Sequence, residues 1–267
     1  MRPRQRIDPR SILVNGASSG LGAALALNYA AAGRTVVLWG RDPVRLAAIA
    51  EGCRRAGAVV RTRLLDLMDA TAALAALRED DDAVPIDLAI LAAGLGDMQP
   101  AGAVTERAEL VLELGMVNFV SASTLATGLA ERMATRKRGQ IVLVGSAAAF
   151  YDLPFAAGYV GSKAGLTRFA GALRLGLGRH GVGVTLVSPG FVDTPMSRRL
   201  DCAKPFILDA DAAAARIARA VARNQAHLIV PWPFAVVGVF GRVLPPPLRR
   251  LILGRLQADQ RSRAAVS

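Results

Sequence analysis

Cysteine and histidine are almost missing from this chain of 267 residues: Cys53, Cys202, His180 and His227 are all it has. The two cysteines lie far apart, form no C-x-x-C pair and have no histidine cluster beside them. Neither a disulfide framework nor a zinc site is therefore expected, and a reducing, cytoplasmic setting fits best. No long apolar run follows the basic N-terminus "MRPRQRIDPR", so that stretch does not read as a secretory signal. Residues 1–10 are expected to form a short, flexible basic arm. No Ser- or Pro-rich linker and no internal repeat divides the rest, and 52% of the residues are apolar, enough for a sizeable core. One domain over residues 11–230 is expected.

Acidic residues are also short: 21 Asp and Glu stand against 33 Lys and Arg, a formal net charge of +12. Most of the excess lies at the two ends, a net of +3 in residues 1–10 and +5 in residues 228–267. The basic residues are neither interleaved with aromatics nor gathered on a recognition helix, so nucleic acid is not an expected partner. An anionic membrane surface stays open as a peripheral contact, at the inner face of the membrane, and the C-terminal extension 231–267 is where it would act. "LIVPWPFAVVGVFGRVLPPPLRRLILGRL" (228–256) is apolar, but prolines interrupt it too often for a comfortable membrane span. It reads as a packing cap, a lid over a substrate pocket, or an interfacial segment with arginines at the headgroups.

What is abundant is alternation. Short, mostly apolar runs at 11–16, 35–40, 59–66, 86–94, 139–146, 183–190 and 226–231 read as strands. Alanine-rich stretches at 20–32, 43–57, 69–79, 105–136, 157–180 and 210–224 read as helices between them. Runs of that kind belong to parallel strands covered on both faces, so the expected fold is α/β: a Rossmann-type doubly wound parallel sheet of about seven strands.

The first strand runs into "NGASSGLG" (15–22), with Gly16, Gly20 and Gly22 where strand becomes helix. Glycine there permits a tight turn and close approach of a pyrophosphate to the backbone, and the helix N-terminus offers free N–H groups. At the end of the second strand stand Trp39, Gly40 and Arg41, with no acid at the position that would hold an unphosphorylated ribose. Arg41 can grip a 2′-phosphate with its planar fork, so the expected cofactor is NADP(H).

Further on, "LLDL" (64–67), "LAAG" (91–94), Asn118, Ser146, "YVGSK" (159–163) and "PGFVDT" (189–194) follow the glycine turn in a fixed order. In that order the chain resembles the short-chain dehydrogenase/reductase family over residues 11–230. The resemblance implies a carbonyl–alcohol oxidoreductase in which Tyr159 exchanges the proton with the substrate oxygen. Lys163 would tune that tyrosine and bind the nicotinamide ribose, Ser146 would polarise the carbonyl, and Asn118 would hold a water linking Lys163 to solvent. It also implies that Ser18, Ser19 and Leu21 face the phosphates, that Asp66 and Leu67 meet the adenine, and that Ala93 and Gly94 line the adenosine side. Pro189, Gly190, Val192 and Thr194 would border the nicotinamide, the last two holding its carboxamide. The chemistry agrees with the residue types, since a phenol with a pKa near 10 is a poor acid at neutral pH. An ammonium one helical turn away, at i and i+4, is expected to favour the phenolate.

Two positions depart from the family pattern. Asn15 stands where threonine is usual, and Leu91 and Ala92 stand where asparagines are usual. The Asn15 amide is expected to make the contacts that those groups share. The segment after Ser146, "AAAFYDLPFAAG", is small and apolar, so the expected substrate is a hydrophobic ketone or alcohol. Two rival readings stay open: a non-catalytic NADP-binding sensor or scaffold, and a membrane-surface lipid-modifying reductase. Helices at 105–136 and 157–180 pair across subunits in the family, which implies a homodimer or homotetramer.

Overall fold

The computed structural model describes residues 8–99, 102–234 and 259–260. Chain order is β1 (Ser11–Asn15), α1 (Gly20–Tyr29), β2 (Thr35–Gly40), α2 (Pro43–Arg55), β3 (Val59–Leu64), α3 (Ala70–Ala83) and β4 (Leu88–Leu91). Then come α4 (Ala108–Gly115), a π-helical turn (Met116–Ser121), α5 (Ala122–Arg136), β5 (Gly139–Val144), a 3₁₀ turn (Ala147–Phe150), α6 (Ala157–Leu177) and β6 (Val182–Pro189). The rest is α7 (Pro195–Arg198), β7 (Leu200–Asp201), α8 (Ala210–Ala222), β8 (His227–Val230) and β9 (Asp259–Gln260). The expected strands and helices all form, most with ends trimmed by a few residues, while α3 runs on to Ala83 past the expected end at 79.

Seven parallel strands make one sheet in the order β3-β2-β1-β4-β5-β6-β8. Alternate side chains feed opposite faces. Ile12, Val14, Val36 and Leu38 pack under α1, α2 and α8, whereas Leu13, Val37, Ala89 and Leu143 pack under α3, α4, α5 and α6. This two-sided cover is why the strands read as continuous apolar runs. The edge strand β3, with its alternation of arginine and exposed Val59 and Leu64, is the exception. Strand order reverses between β1 and β4, so the crevice opens at the carboxyl ends of those two strands, where ligands bind in such sheets.

The 105–136 helix begins at Ala108, and its turn at Met116–Ser121 widens to π geometry around Asn118. Ala108–Arg136 is long and apolar enough to cross a membrane by length and composition, but here it packs on the sheet through Leu114, Leu125 and Leu129. Of the expected basic arm, residues 1–7 lie outside the described residues, and Asp8–Arg10 are tied to the domain. Asp8 pairs with Arg34 at 2.9 Å, and the Arg10 N–H donates to Asp87 at 2.9 Å. Most of the 231–267 extension also lies outside them. Pro231–Phe234 are described, and Asp259–Gln260 pair antiparallel with β7.

Candidate active site

Steric necessity builds the turn between β1 and α1. Gly16 has φ +71°, and a Cβ there would lie 2.7 Å from Ala93 Cα. At Gly22 a Cβ would lie 2.2 Å from the Gly16 carbonyl oxygen. A Cβ on Gly20 would approach the Thr194 side chain to 3.2 Å, so the loops after β1, β4 and β6 meet here. Asn15, buried at the end of β1, locks two of them: its Oδ1 accepts a hydrogen bond from the Ala93 N–H at 2.9 Å. The helix that follows starts at Gly20 with no side chain capping it, which leaves its first N–H groups for a ligand.

The loops enclose a cavity of about 900 Å³. Gly16, Ser18, Ser19, Gly20, Leu21 and Gly22 line it at the first turn, Arg41 at the end of β2, and Asp66 and Leu67 beyond β3. Ala93 and Gly94 line it after β4, and Pro189, Gly190, Val192 and Thr194 after β6. Ser146, Tyr159 and Lys163 face the same space. Asp42, the acid nearest Arg41 in sequence, is committed elsewhere: it caps α2 by accepting from the Arg45 N–H at 2.9 Å and from Arg45 Nε at 2.6 Å.

Of the four expected catalytic residues, three share the cavity wall and the fourth stands behind it. Ser146 begins the 3₁₀ turn, its Oγ accepting from the Ala148 N–H at 3.1 Å, and its hydroxyl lies close enough to the Tyr159 phenol to favour the ionised form. Lys163 Nζ donates to the Val144 carbonyl at 2.9 Å. Asn118 is completely buried and grips the β4–α4 loop by both its amide atoms. Oδ1 accepts from the Leu95 N–H at 2.8 Å, while Nδ2 donates to the Leu95 carbonyl at 3.0 Å and to Ser162 Oγ at 3.1 Å. Ser162 in turn donates to the Tyr159 carbonyl at 2.7 Å. The π turn, the β4–α4 loop and α6 are thereby joined under the tyrosine, and π turns are frequent at functional sites. A Cβ on Gly94 would lie 3.0 Å from Asn118 Oδ1 and 3.3 Å from Lys163 Nζ, which is why glycine stands there.

Burial governs the protonation of this pair. It pushes the Tyr159 phenol above its ordinary value, with the Ser146 hydrogen bond acting the other way, and it pulls the Lys163 ammonium down to about 8. The direction at Tyr159 is opposite to the one expected from the lysine alone, because burial disfavours the charged phenolate.

The remaining walls are mostly apolar, with Met98, Leu153, Phe155, Met196, Phe206 and Phe234 among them. Two loops close on each other beside them, with Arg199 Nη1 bonding Asp97 at 2.8 Å and Met196 lying over Gly96. That clasp had no sequence signal, its partners being 102 residues apart. Glu106 was also missed. Its Oε2 accepts from the Gly158 N–H at 2.7 Å, holding the first turn of the helix that carries Tyr159.

The sequence pattern of the short chain dehydrogenase family matches residues 10–204. The chain belongs to that family. It is 35% identical over 241 residues to an uncharacterized oxidoreductase of Myxococcus xanthus, covering 90% of this chain and 94% of that one. The fold superposes on a short-chain dehydrogenase from Sphingobium yanoikuyae in complex with NADPH, with a TM-score of 0.77, 28% identity, and 95% and 99% of the two chains covered. A bulky-bulky ketone specific alcohol dehydrogenase from Comamonas testosteroni follows at a TM-score of 0.75 and 25% identity, with 95% and 96% covered. As a member of an oxidoreductase family the chain is an enzyme that uses a nicotinamide cofactor.

Proposed function

We propose that this enzyme interconverts a hydrophobic ketone and its secondary alcohol with NADP(H), running as a reductase in the cell. The observation that carries the reading is the convergence of Ser146, Tyr159 and Lys163 on one cavity with an apolar outer half. The uncapped start of α1 and the glycine cradle fit a pyrophosphate, and Arg41 at the rim, with Asp42 occupied, fits a 2′-phosphate. The Sphingobium relative with NADPH supports the same choice.

The cofactor, when bound, supplies the hydride. The chain supplies the rest. Ser146 donates to the carbonyl oxygen and polarises it, and Tyr159 delivers the proton to that oxygen as charge builds there. Lys163, buried within reach of Gly94, holds the ribose edge and restores the phenol proton. Asn118 fixes the loop and helix between which this happens. The six apolar walls exclude water and receive the substrate's bulk, in keeping with the bulky-ketone specificity of the Comamonas relative.

By the family pattern, α4–α5 and α6 pair across subunits, and their outer faces leave Leu112 and Leu175 exposed. Turnover of bulky aryl and alicyclic ketones, followed as NADPH consumption, tests the reading. The expected result is activity with NADPH at least tenfold above NADH, a preference abolished by Arg41→Ala. Equal use of the two cofactors by the wild type would overturn the NADP assignment.

A further inference from the structure

A buried carboxylate that the reaction does not use stands behind the β2 and β3 side of the cavity. Asp80, on α3, is 4% exposed. Its Oδ2 accepts from the Trp39 indole N–H at 2.8 Å and from Arg63 Nε at 3.2 Å, and its Oδ1 accepts from Arg63 Nη2 at 2.7 Å. Arg63 also pairs with Glu79 at 3.0 Å. Trp39 and Arg63 are partners in register on β2 and β3, so one side chain from the helix joins two adjacent strands. Burying an ion pair is a costly route to stability, since well-packed apolar side chains often do as well. A positional task accounts for it better.

That task lies just beyond, where the two strands end. Gly40 and Arg41 follow Trp39, while Leu65, Asp66 and Leu67 come soon after Arg63, and all five line the cavity. Trp39 is tied to the glycine turn as well, its carbonyl accepting from the Ala17 N–H at 2.9 Å. The Gly40 carbonyl accepts from the Leu65 N–H at 3.0 Å, so the two strand ends are linked directly above the Asp80 bonds. β3 is the edge of the sheet, with a neighbouring strand on one side only, so fewer bonds fix its end than fix those of the inner strands. Asp80 adds a second attachment at that weak point.

We propose that Asp80 is a positioning residue for the cofactor: without touching it, the carboxylate aligns the ends of β2 and β3 and sets the distance between Arg41 and the Asp66–Leu67 side of the adenosine seat. This rests on the cofactor placement given above. An adenosine bearing a 2′-phosphate is met from both strands at once, and groups that meet a ligand bind well only when those behind them fix their geometry. Trp39 carries the effect, because its side chain bonds Asp80 and its backbone bonds the glycine turn.

The test compares full-length wild type, Asp80→Asn and Trp39→Phe by titration. NADPH affinity is read from nucleotide fluorescence, and the affinity of adenosine 2′,5′-bisphosphate from its displacement of NADPH. Trp39→Phe removes the indole donor but keeps an aromatic ring in the core and leaves Asp80 paired with Arg63, so it decides the matter if Asp80→Asn does not fold. Both affinities are expected to fall about tenfold, as loss of one hydrogen bond to a charged group implies. The emission of bound NADPH at saturation, excited directly, reports the nicotinamide end and should match the wild type. A bond that only stabilises the fold would lower the melting temperature and leave both affinities unchanged, and that result would overturn this proposal alone. An altered emission at saturation would do the same, since the disturbance would then reach the whole site. A wild type from which adenosine 2′,5′-bisphosphate displaces no NADPH would overturn the cofactor placement and this proposal with it.

Discussion

Replacing Asn15 probes the joint on which the cofactor cradle rests. Its side chain is 2% exposed and its Oδ1 is the acceptor for the Ala93 N–H at 2.9 Å. Asn15→Leu keeps the volume but strands that buried N–H, a loss of about 1–3 kcal/mol. Asn15→Ala adds a small cavity, bringing the expected cost to about 2–4 kcal/mol. For a domain of this size each kcal/mol lowers Tm by about 2–4 °C, so Asn15→Ala should melt roughly 4–16 °C lower. The effect should reach the ligand as well, because Ala93 Cα lies 2.7 Å from where a Gly16 Cβ would stand, and a shift of Ala93 deforms the glycine turn. NADPH affinity, read from nucleotide fluorescence on titration, should fall about tenfold in both variants, as loss of one hydrogen bond to a seat residue implies. An Asn15→Leu protein with wild-type Tm and wild-type NADPH affinity would refute the reasoning.

Four further outcomes follow from the same geometry. Gly22→Ala places a methyl 2.2 Å from the Gly16 carbonyl oxygen, so NADPH binding measured by titration should be lost while far-ultraviolet circular dichroism stays native-like. Lys163 loses its proton at about 8 in the folded protein, so kcat/KM for NADPH, which reports the free enzyme, should be level below pH 8 and fall above it. A profile level to pH 10 would contradict that role for the ammonium. Stability should move the other way: between pH 8 and 10 the unfolded chain keeps the lysine proton and the folded one does not, so wild-type stability should rise with pH relative to Lys163→Met in urea unfolding. Glu106→Ala should lower kcat and Tm together, by about 1–3 kcal/mol of stability, because it strands the Gly158 N–H, whereas Glu106→Gln retains the acceptor and most of both.

How much of this was legible in the sequence follows from what sequence patterns encode. Sheet strands and their helices were readable because burial on both faces writes continuous apolar runs, and the edge strand β3 shows the pattern weakening where one side is open. Three glycines of the cavity lining, Gly16, Gly22 and Gly94, stand where a Cβ would collide or crowd its neighbours, so the sequence marks where the backbone runs closest. Asn15 was readable as a departure that needed a partner, and Ala93 is that partner. Contacts between distant loops were not. The Asp97–Arg199 clasp, the Glu106 cap on α6 and the π turn around Asn118 depend on where loops land rather than on a local period. The net effect of surroundings on Tyr159 was also hidden. A lysine at i+4 is visible in sequence, but the burial that raises the phenol arises only when the chain folds around it.

The central claim is that Tyr159 delivers the proton in a reduction supported by Ser146 and Lys163. Comparison of Tyr159→Phe with the wild type in single-turnover reduction of a bulky ketone by bound NADPH tests it most directly. The predicted result is a rate lower by about 10²–10⁴, the usual contribution of a general acid, with NADPH affinity within a few-fold of wild type. A Tyr159→Phe enzyme that binds NADPH and reduces the ketone at the wild-type rate would contradict the account.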